Sequence, residues 1–356
     1  MLGALFALMS AATFALNNAS VRRGVLSGSV LQAMAITVPI GVPLFFIATV
    51  ATGYLGALAG FSAQAMGALA IAGLLHFVWG RYWNYLALRA IGLNLAAPIQ
   101  QVNLVFTLAI AVWLLGEALT PFRILGIVLI LYGPTLLMRE APSAEPHRDA
   151  DSTSGNPIDN PPGNPIGNAD AGGPAAVARG EEAPAFVPRR AEGYLFAVLS
   201  ATGYGLSPVF IRLGLHDKSL GASLAGGLIA YATATAAVAL FLLWPGQLRR
   251  ALAVKPEAAK WFTFSGFMVC ASQMFLFMAL TVAPVTVVSP INRLTVLFRL
   301  HFSRLLNPRH EVFGSKVVLA TVISLAGAVS LSLSVDMVAS LLPAAALPPL
   351  RWHWPQ

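Results

Sequence analysis

The sequence predicts an all-α integral membrane protein with about ten transmembrane helices, arranged as two inverted five-helix repeats. Three observations support this prediction: 57% of the 356 residues are hydrophobic, only 10% are charged, and the apolar residues form long continuous runs. Soluble domains carry about 25% charged residues, so this chain lacks the polar surface that water requires. Runs of about 20 apolar residues cross a bilayer as helices, because lipid offers no partner to unpaired backbone groups.

The predicted spans fall on both sides of a polar connector. The apolar runs cover residues 2–20, 29–52, 64–87, 93–115, 122–138, 193–211, 220–244, 260–281, 284–305 and 313–335. We therefore divide the chain into a first five-helix repeat, a connector, a second five-helix repeat and a C-terminal tail, at residues 1–139, 140–190, 191–336 and 337–356. The connector is rich in Pro, Gly, Asn and Asp and poor in apolar residues, which predicts disorder.

The two halves are related in sequence. With an offset of 190, nine of the 22 residues in 3–24 recur, among them Arg22 as Arg212. With an offset of 192, the segment 98–100 (Pro-Ile-Gln) matches 290–292 (Pro-Ile-Asn). Because five spans per half is an odd number, the second half is expected to enter the membrane from the opposite side. Such inverted repeats permit alternating access to a central site.

Composition and motifs exclude several classes of function. The formal net charge of +8 does not indicate nucleic-acid binding, because the basic residues are scattered over helix ends and short loops. Cys270 is the only cysteine, so no intrachain disulfide is expected. The sequence has no phosphate-binding loop, serine-nucleophile elbow or metal-ligand cluster, so we expect no cofactor, no metal and no enzymatic activity.

Charged and polar residues inside the spans are the candidate site, because they are costly in lipid unless they face a cavity or a partner. Arg81 lies mid-span with Asn84 on the same face, and a buried guanidinium beside an amide suits a carboxylate or phosphate. Pairing of Arg81 with a helix end is the alternative. The residues expected to contact a solute are Arg81, Asn84, Gln100, Asn292, Arg293 and Asn17, with Trp79, Tyr82 and Trp83 walling the cavity.

Other polar residues are assigned structural roles. Pro98 and Pro290 are expected to begin corresponding helices, and symmetric breaks of this kind suit a midplane site. Eight of the 14 acidic residues lie in the connector, which argues against proton antiport through a carboxylate. Glu117, near the end of a span, is expected to cap a helix or form an ion pair. Late in the ninth span, three residues fit headgroup anchoring better than ligand binding: Arg299, His301 and Arg304.

Five short sequence strings follow one another in the first half in a characteristic order and spacing: Phe14–Asn17, Arg22–Gly24, Tyr85–Leu88, Ala97–Gln100 and Leu114–Glu117. In these strings the chain resembles the EamA branch of the drug/metabolite transporter superfamily. The resemblance implies ten helices, a central solute pathway, no ATP hydrolysis and cytoplasmic termini. The second half departs from the pattern at residues 304–311, where the expected turn is about four residues shorter, which indicates a specialised subfamily.

The expected function is secondary transport of a small polar solute, anionic or amino-acid-like, by a multi-pass protein of the bacterial inner membrane. The expected partners are this small-molecule solute and the lipid bilayer, with the chain a monomer or homodimer. The positive-inside rule places the connector in the cytoplasm and both termini outside, contrary to the resemblance, so orientation stays open. Two alternatives remain: an integral-membrane enzyme acting on lipid-linked substrates, and a non-transporting scaffold or sensor.

Overall fold

The computed structural model describes residues 2–106, 109, 120–138, 186–215, 219–282, 291–292 and 294–332. Throughout these residues the secondary structure is helical, with no strand among them. Several features predicted from the sequence lie outside the described residues: most of the connector, the C-terminal tail, Glu117, Pro290 and Arg293.

The described helices follow the predicted apolar runs. The first half forms α1 (Leu2–Val25), α2 (Val30–Thr37), α3 (Gly41–Ala51), α4 (Ala63–Gly73), α5 (Arg81–Gln100) and α6 (Pro121–Met138). The second half forms α7 (Arg190–Gly214), α8 (Leu220–Leu242), α9 (Gln247–Leu252), α10 (Pro256–Val282), α11 (Thr295–Leu306) and α12 (Ser315–Ser332). In the described part of the chain, 5 helical stretches are long and apolar enough to cross a membrane. The all-α membrane class is therefore supported, and ten spans stays a prediction.

The third and fourth predicted spans are separated by a break inside α5. Gly92 has a φ of 77° and a ψ of 177°, a conformation that ends one helical stretch before the next begins. Pro98 lies inside the second stretch, so the expectation that it begins the helix is wrong. The break falls at Gly92 because only glycine adopts this backbone conformation without strain.

The outer surface is apolar and polar side chains are buried, the reverse of a soluble protein. Leu243 and Trp244 are 75% and 70% exposed, whereas Arg22 and Asn18 are 0% exposed. Lipid solvates apolar side chains, while buried polar groups need partners inside the bundle. The polar residues are therefore gathered where helices of the two halves meet.

Helices of the two halves contact each other in a reciprocal way. The first helix, α1, packs along α10, and its counterpart α7 packs along α4 and α5. The Ser10 hydroxyl donates to the Ser272 carbonyl at 2.9 Å. The Ser200 hydroxyl, at the equivalent place in the second half, donates to the Gly80 carbonyl, also at 2.9 Å. The same hydrogen bond thus joins the halves twice.

Candidate functional site

A set of polar side chains, buried except for the half-buried Tyr204, lies between the two halves. We call it the polar centre, and it consists of Asn17, Asn18, Arg81, Asn84, Tyr85, Gln100, Tyr204, Tyr231, Ser265 and Arg299.

One part of the polar centre is a chain of side-chain amides. Asn84 Nδ2 donates to Asn18 Oδ1 at 3.1 Å, and Gln100 Nε2 donates to Asn84 Oδ1. Gln100 Oε1 accepts a hydrogen bond from Arg299 Nη1 at 2.7 Å. All four side chains are buried. Because an amide both donates and accepts, the chain connects a cation on α11 to the first helix.

Arg81 is the other cation of the polar centre, at the start of α5. Its Nη1 donates to the Thr37 carbonyl at 3.2 Å, and its Nη2 donates to the Tyr231 hydroxyl at 3.3 Å. Its guanidinium carbon lies 5.0 Å from the ring centroid of Phe77. Arg81 is 3% exposed. Its positive charge is therefore stabilised by dipoles and by an aromatic face.

Tyr85 and Ser265 form further hydrogen bonds in the polar centre. The Tyr85 hydroxyl lies 3.0 Å from Thr37 Oγ1, and Thr37 also provides the carbonyl that accepts from Arg81. Ser265 Oγ donates to Asn17 Oδ1 at 2.6 Å. These side chains are buried, as is Arg81. Polar networks of this kind are rigid when each member has its partner.

A π-helical segment, Leu74–Gly80, leads into Arg81 and borders a small cavity. Such wide turns are frequent at functional sites. On this segment, His76 Nδ1 lies 2.9 Å from Ser207 Oγ, and the His76 ring is 4.8 Å from that of Tyr204. The cavity lined by His76 and Tyr231 measures about 30 Å³. This volume accommodates about two water molecules, so a metabolite requires the site to open.

A buried ion pair closes the end of the bundle where α1 finishes. Glu311 Oε1 accepts hydrogen bonds from Arg22 Nε at 3.1 Å and from the Leu93 amide at 2.7 Å. Glu311 Oε2 accepts from the Asn94 amide at 3.0 Å. Both ionised side chains are 0% exposed. We call this arrangement the Glu311 clamp, because one carboxylate pairs with α1 and caps the helix that restarts after Gly92.

The backbone around the clamp is shaped to hold it. A Cβ atom on Gly92 would lie 2.5 Å from Glu311 Oε2, so a side chain there displaces the carboxylate. The remaining Arg22 nitrogens donate to the carbonyls of Arg89 at 3.1 Å and His310 at 2.6 Å. Burial and the neighbouring arginines lower the pKa of His310, so its ring adds no charge near neutral pH.

Charge is unbalanced in the polar centre. Among the described residues, Glu311 is the buried acid, and it is engaged with Arg22. The described hydrogen-bond partners of Arg81 and Arg299 are neutral. Because an unpaired buried charge costs several kcal/mol, this arrangement favours the binding of an anion.

Residues 1–139 and 191–333 match the model of the EamA-like transporter family. The chain belongs to the EamA-like transporter family. The resemblance drawn from the sequence is thus confirmed. Among curated proteins, none matches the chain significantly. One solved structure, described only as "Crystal structure of protein", is 18% identical and covers 92% of this chain and 94% of its own, with a TM-score of 0.44. A TM-score of 0.44 does not establish a shared fold.

Four of the predicted site residues of this EamA-like chain lie together. Arg81, Asn84, Gln100 and Asn17 are all members of the polar centre, although their contact with a solute stays a prediction. Asn292 is half-buried, and its carbonyl accepts a hydrogen bond from the Thr295 hydroxyl at 2.6 Å.

The three aromatic residues predicted to line the solute cavity lie outside the polar centre. Trp79 and Tyr82 are 43% and 41% exposed on the outside of the helical bundle. Trp83 is half-buried and packs against Phe196, with ring centroids 5.4 Å apart. The expectation that these three residues wall the cavity beside Arg81 is wrong for this structure. Amphipathic aromatic side chains are also stable at a lipid-facing surface, so their type alone does not assign a face.

Sequence reasoning also misplaced or missed several residues. Arg299, expected to anchor at a membrane interface, is 6% exposed and bonded to Gln100. His301 and Arg304 are exposed, and their anchoring role stays a prediction. The spacing of seven residues between Asn292 and Arg299 places both on one helix face and was the available signal for Arg299. Tyr204 shares a polar helix face with Ser200 and Ser207, which was a signal in the sequence. The roles of Tyr231, Ser265 and Glu311 had no comparable signal.

Proposed function

We propose that this chain is a secondary transporter, independent of ATP, that moves a small polar solute bearing an anionic group by alternating access. The observation that carries the proposal is the burial of Arg81 between the two halves with neutral described partners. Transport is the activity expected of the family. The anionic character of the solute is inferred from the charge of the site.

The buried guanidinium of Arg81 is energetically costly in the absence of a bound anion. The effective penalty for taking a guanidinium out of water is several kcal/mol. An anion about 4 Å away returns about 4 kcal/mol at an effective dielectric constant of 20. A carboxylate or phosphate also matches the planar fork of arginine. An amino-acid-like solute fits equally, because its carboxylate suits Arg81 and its ammonium suits the oxygens of Asn84 and Gln100.

The reciprocal contacts of Ser10 and Ser200 support two inverted five-helix repeats. Two similar units that meet around a central site exchange conformations, exposing that site first to one side of the membrane and then to the other. The present cavity of about 30 Å³ and the Glu311 clamp describe a closed state of this cycle. Opening must separate α1 from the loop that carries Glu311, or move the opposite end of the bundle.

We place the protein in the bacterial inner membrane, with the clamp at its cytoplasmic end. Arg22 and Arg89 lie at this end, with the Arg250 carbonyl bonded to Gln32 on α2. The positive-inside rule assigns a basic end to the cytoplasm. Cytoplasmic location of the connector follows from the same assignment.

Uptake into proteoliposomes tests the proposal. The purified chain is reconstituted and supplied with labelled carboxylic acids, amino acids and phosphate esters, with and without a pH gradient. We expect uptake of at least one anionic solute above empty liposomes, and its loss in Arg81→Ala. The matched control is Arg89→Ala, which removes an exposed guanidinium from the same helix. Equal uptake by the wild type and Arg81→Ala, with both correctly inserted, would contradict the proposal.

Deleting residues 145–185 separates a transporter from a scaffold or sensor. A transporter retains uptake because its solute pathway lies within the helices. A scaffold whose connector is the active part loses its function. Retention of uptake by the deletion variant is the result that our proposal predicts.

A further inference from the structure

Arg299 is a second buried guanidinium in the polar centre, on a helix of the opposite half from Arg81. Its Nη1 donates to Gln100, and its guanidinium carbon lies 5.6 Å from the ring centroid of Phe14. Its Nε is buried without a hydrogen-bond partner among the described residues. Since buried donors are nearly always satisfied in folded proteins, a side chain that is 6% exposed with an unused donor indicates a missing partner.

Hydrogen bonds connect Arg299 to the helix that carries Arg81. Gln100 accepts a hydrogen bond from Arg299 and donates one to Asn84. Asn84 lies one turn after Arg81 on α5, on the same face of the helix. The two cations therefore belong to one buried polar region and are not separate sites.

A single negative charge cannot balance this arrangement. One monoanion at Arg81 leaves the charge of Arg299 buried, and each unpaired buried ion costs several kcal/mol. The Glu311 carboxylate is not available, because Arg22 and two backbone amides engage it. We propose that the polar centre binds a solute with two negative charges, one held by Arg81 and the other by Arg299. This inference rests on the proposed transport function and narrows its substrate class.

The test is ligand-dependent thermal stabilisation of the full chain in detergent at neutral pH and constant ionic strength. Succinate and glutarate are the probes with two charges, and propionate is the probe with one. A ligand that binds the folded state raises the unfolding temperature in proportion to its occupancy. We expect at least one doubly charged probe to stabilise the wild type at concentrations where propionate does not.

Variants of Arg299 test whether this residue binds the second negative charge of the solute. Arg299→Gln should weaken the binding of the doubly charged probe about 10- to 100-fold and abolish its advantage over propionate. Arg299→Lys keeps the charge and should retain part of that advantage. The matched control, Arg304→Gln, removes an exposed arginine from the same helix and should bind like the wild type.

Several results would overturn the inference. These are the absence of stabilisation by every doubly charged probe, equal stabilisation of the wild type by propionate, and full retention of the preference in Arg299→Gln. The wild-type comparison stands even if Arg299→Gln fails to fold. Arg81-dependent uptake of singly charged solutes, with no effect of Arg299→Gln, would leave the transporter proposal intact and refute the second charge alone.

Discussion

Replacing Glu311 with glutamine tests whether the Glu311 clamp holds the bundle together. The carboxylate accepts hydrogen bonds from Arg22 and from the amides of Leu93 and Asn94, so every described group facing it is a donor. Glutamine has one acceptor oxygen, and its NH₂ group would face donors. If the glutamine oxygen takes the place of Oε1, the Asn94 amide loses its acceptor, and if it takes the place of Oε2, the Leu93 amide and Arg22 Nε lose theirs. In either case the charge of Arg22 loses its counter-charge in a site that is 0% exposed.

The expected loss is large. Removing one partner of a buried ion pair costs about 3–5 kcal/mol. With about 2 °C per kcal/mol for a chain of this length, Glu311→Gln should lower the unfolding temperature by roughly 6–10 °C. The measurement is thermal unfolding in detergent, followed by intrinsic fluorescence. The heating rate must be fixed, because unfolding of such proteins is often irreversible.

An exposed acid with its own ion pair provides the control. Glu192 lies 2.8 Å from Arg189, and their side chains are 54% and 59% exposed. Surface pairs of this kind contribute about 0–1 kcal/mol, so Glu192→Gln should change the unfolding temperature by roughly 2 °C or less. Equal unfolding temperatures for Glu311→Gln and Glu192→Gln would show that the Glu311 clamp does not stabilise the bundle.

A charge exchange separates the two roles of Glu311. Combining Arg22→Glu with Glu311→Arg keeps opposite charges but leaves the amides of Leu93 and Asn94 without an acceptor. We therefore expect the double variant to remain as unstable as Glu311→Gln. Restoration of wild-type stability would show that the ion pair alone matters.

Three further predictions follow from backbone strain, helix contacts and the surroundings of the buried cation. Gly92→Ala should be more destabilising than Gly53→Ala. Both glycines have a φ of 77°, but only at Gly92 would the new Cβ lie 2.5 Å from a carboxylate oxygen. Equal decreases in the unfolding temperature of the two variants would contradict this prediction. Ser10→Ala and Ser200→Ala should each cost about 0.6 kcal/mol, since each removes a hydroxyl-to-carbonyl bond between the halves, and an unchanged unfolding temperature in either variant would count against the reciprocal arrangement. Tyr231→Phe removes a hydroxyl from the buried guanidinium and should cost about 1–3 kcal/mol in stability, whereas unchanged unfolding would show that this bond is unimportant.

Much of the fold follows from the sequence because span length and apolar composition are set by the thickness of the bilayer. The positions of α1, α6 and α8 agree with runs read directly from the chain. Arg81 and Asn84 were identified because a charge in an apolar run needs a special environment. The family was identified from short strings, and the family match confirms it.

The parts of the site that the sequence did not predict depend on contacts between residues far apart in the chain. Arg22 and Glu311 are separated by 289 positions, and nothing local to either predicts their pairing. The prediction of the aromatic wall was wrong for a different reason. The π-helical segment Leu74–Gly80 changes the angular offset between Trp79 and the residues after it, so a regular helical period misplaces Trp79. Tyr82 and Trp83 follow Arg81 on a regular helix, about 100° and 200° around its axis, so they point away from Arg81.

Counterflow most directly tests the claim that a solute is carried through the polar centre by alternating access. Proteoliposomes are loaded with an unlabelled anionic solute identified in the uptake screen and diluted into medium with a trace of the labelled form. A carrier accumulates the label transiently, because each export of unlabelled solute returns the binding site to the outside, where it binds labelled solute and carries it inward. We predict this accumulation for the wild type and for Arg89→Ala, and its loss in Arg81→Ala. Wild-type protein that only equilibrates the label, or Arg81→Ala that accumulates it fully, would contradict the account.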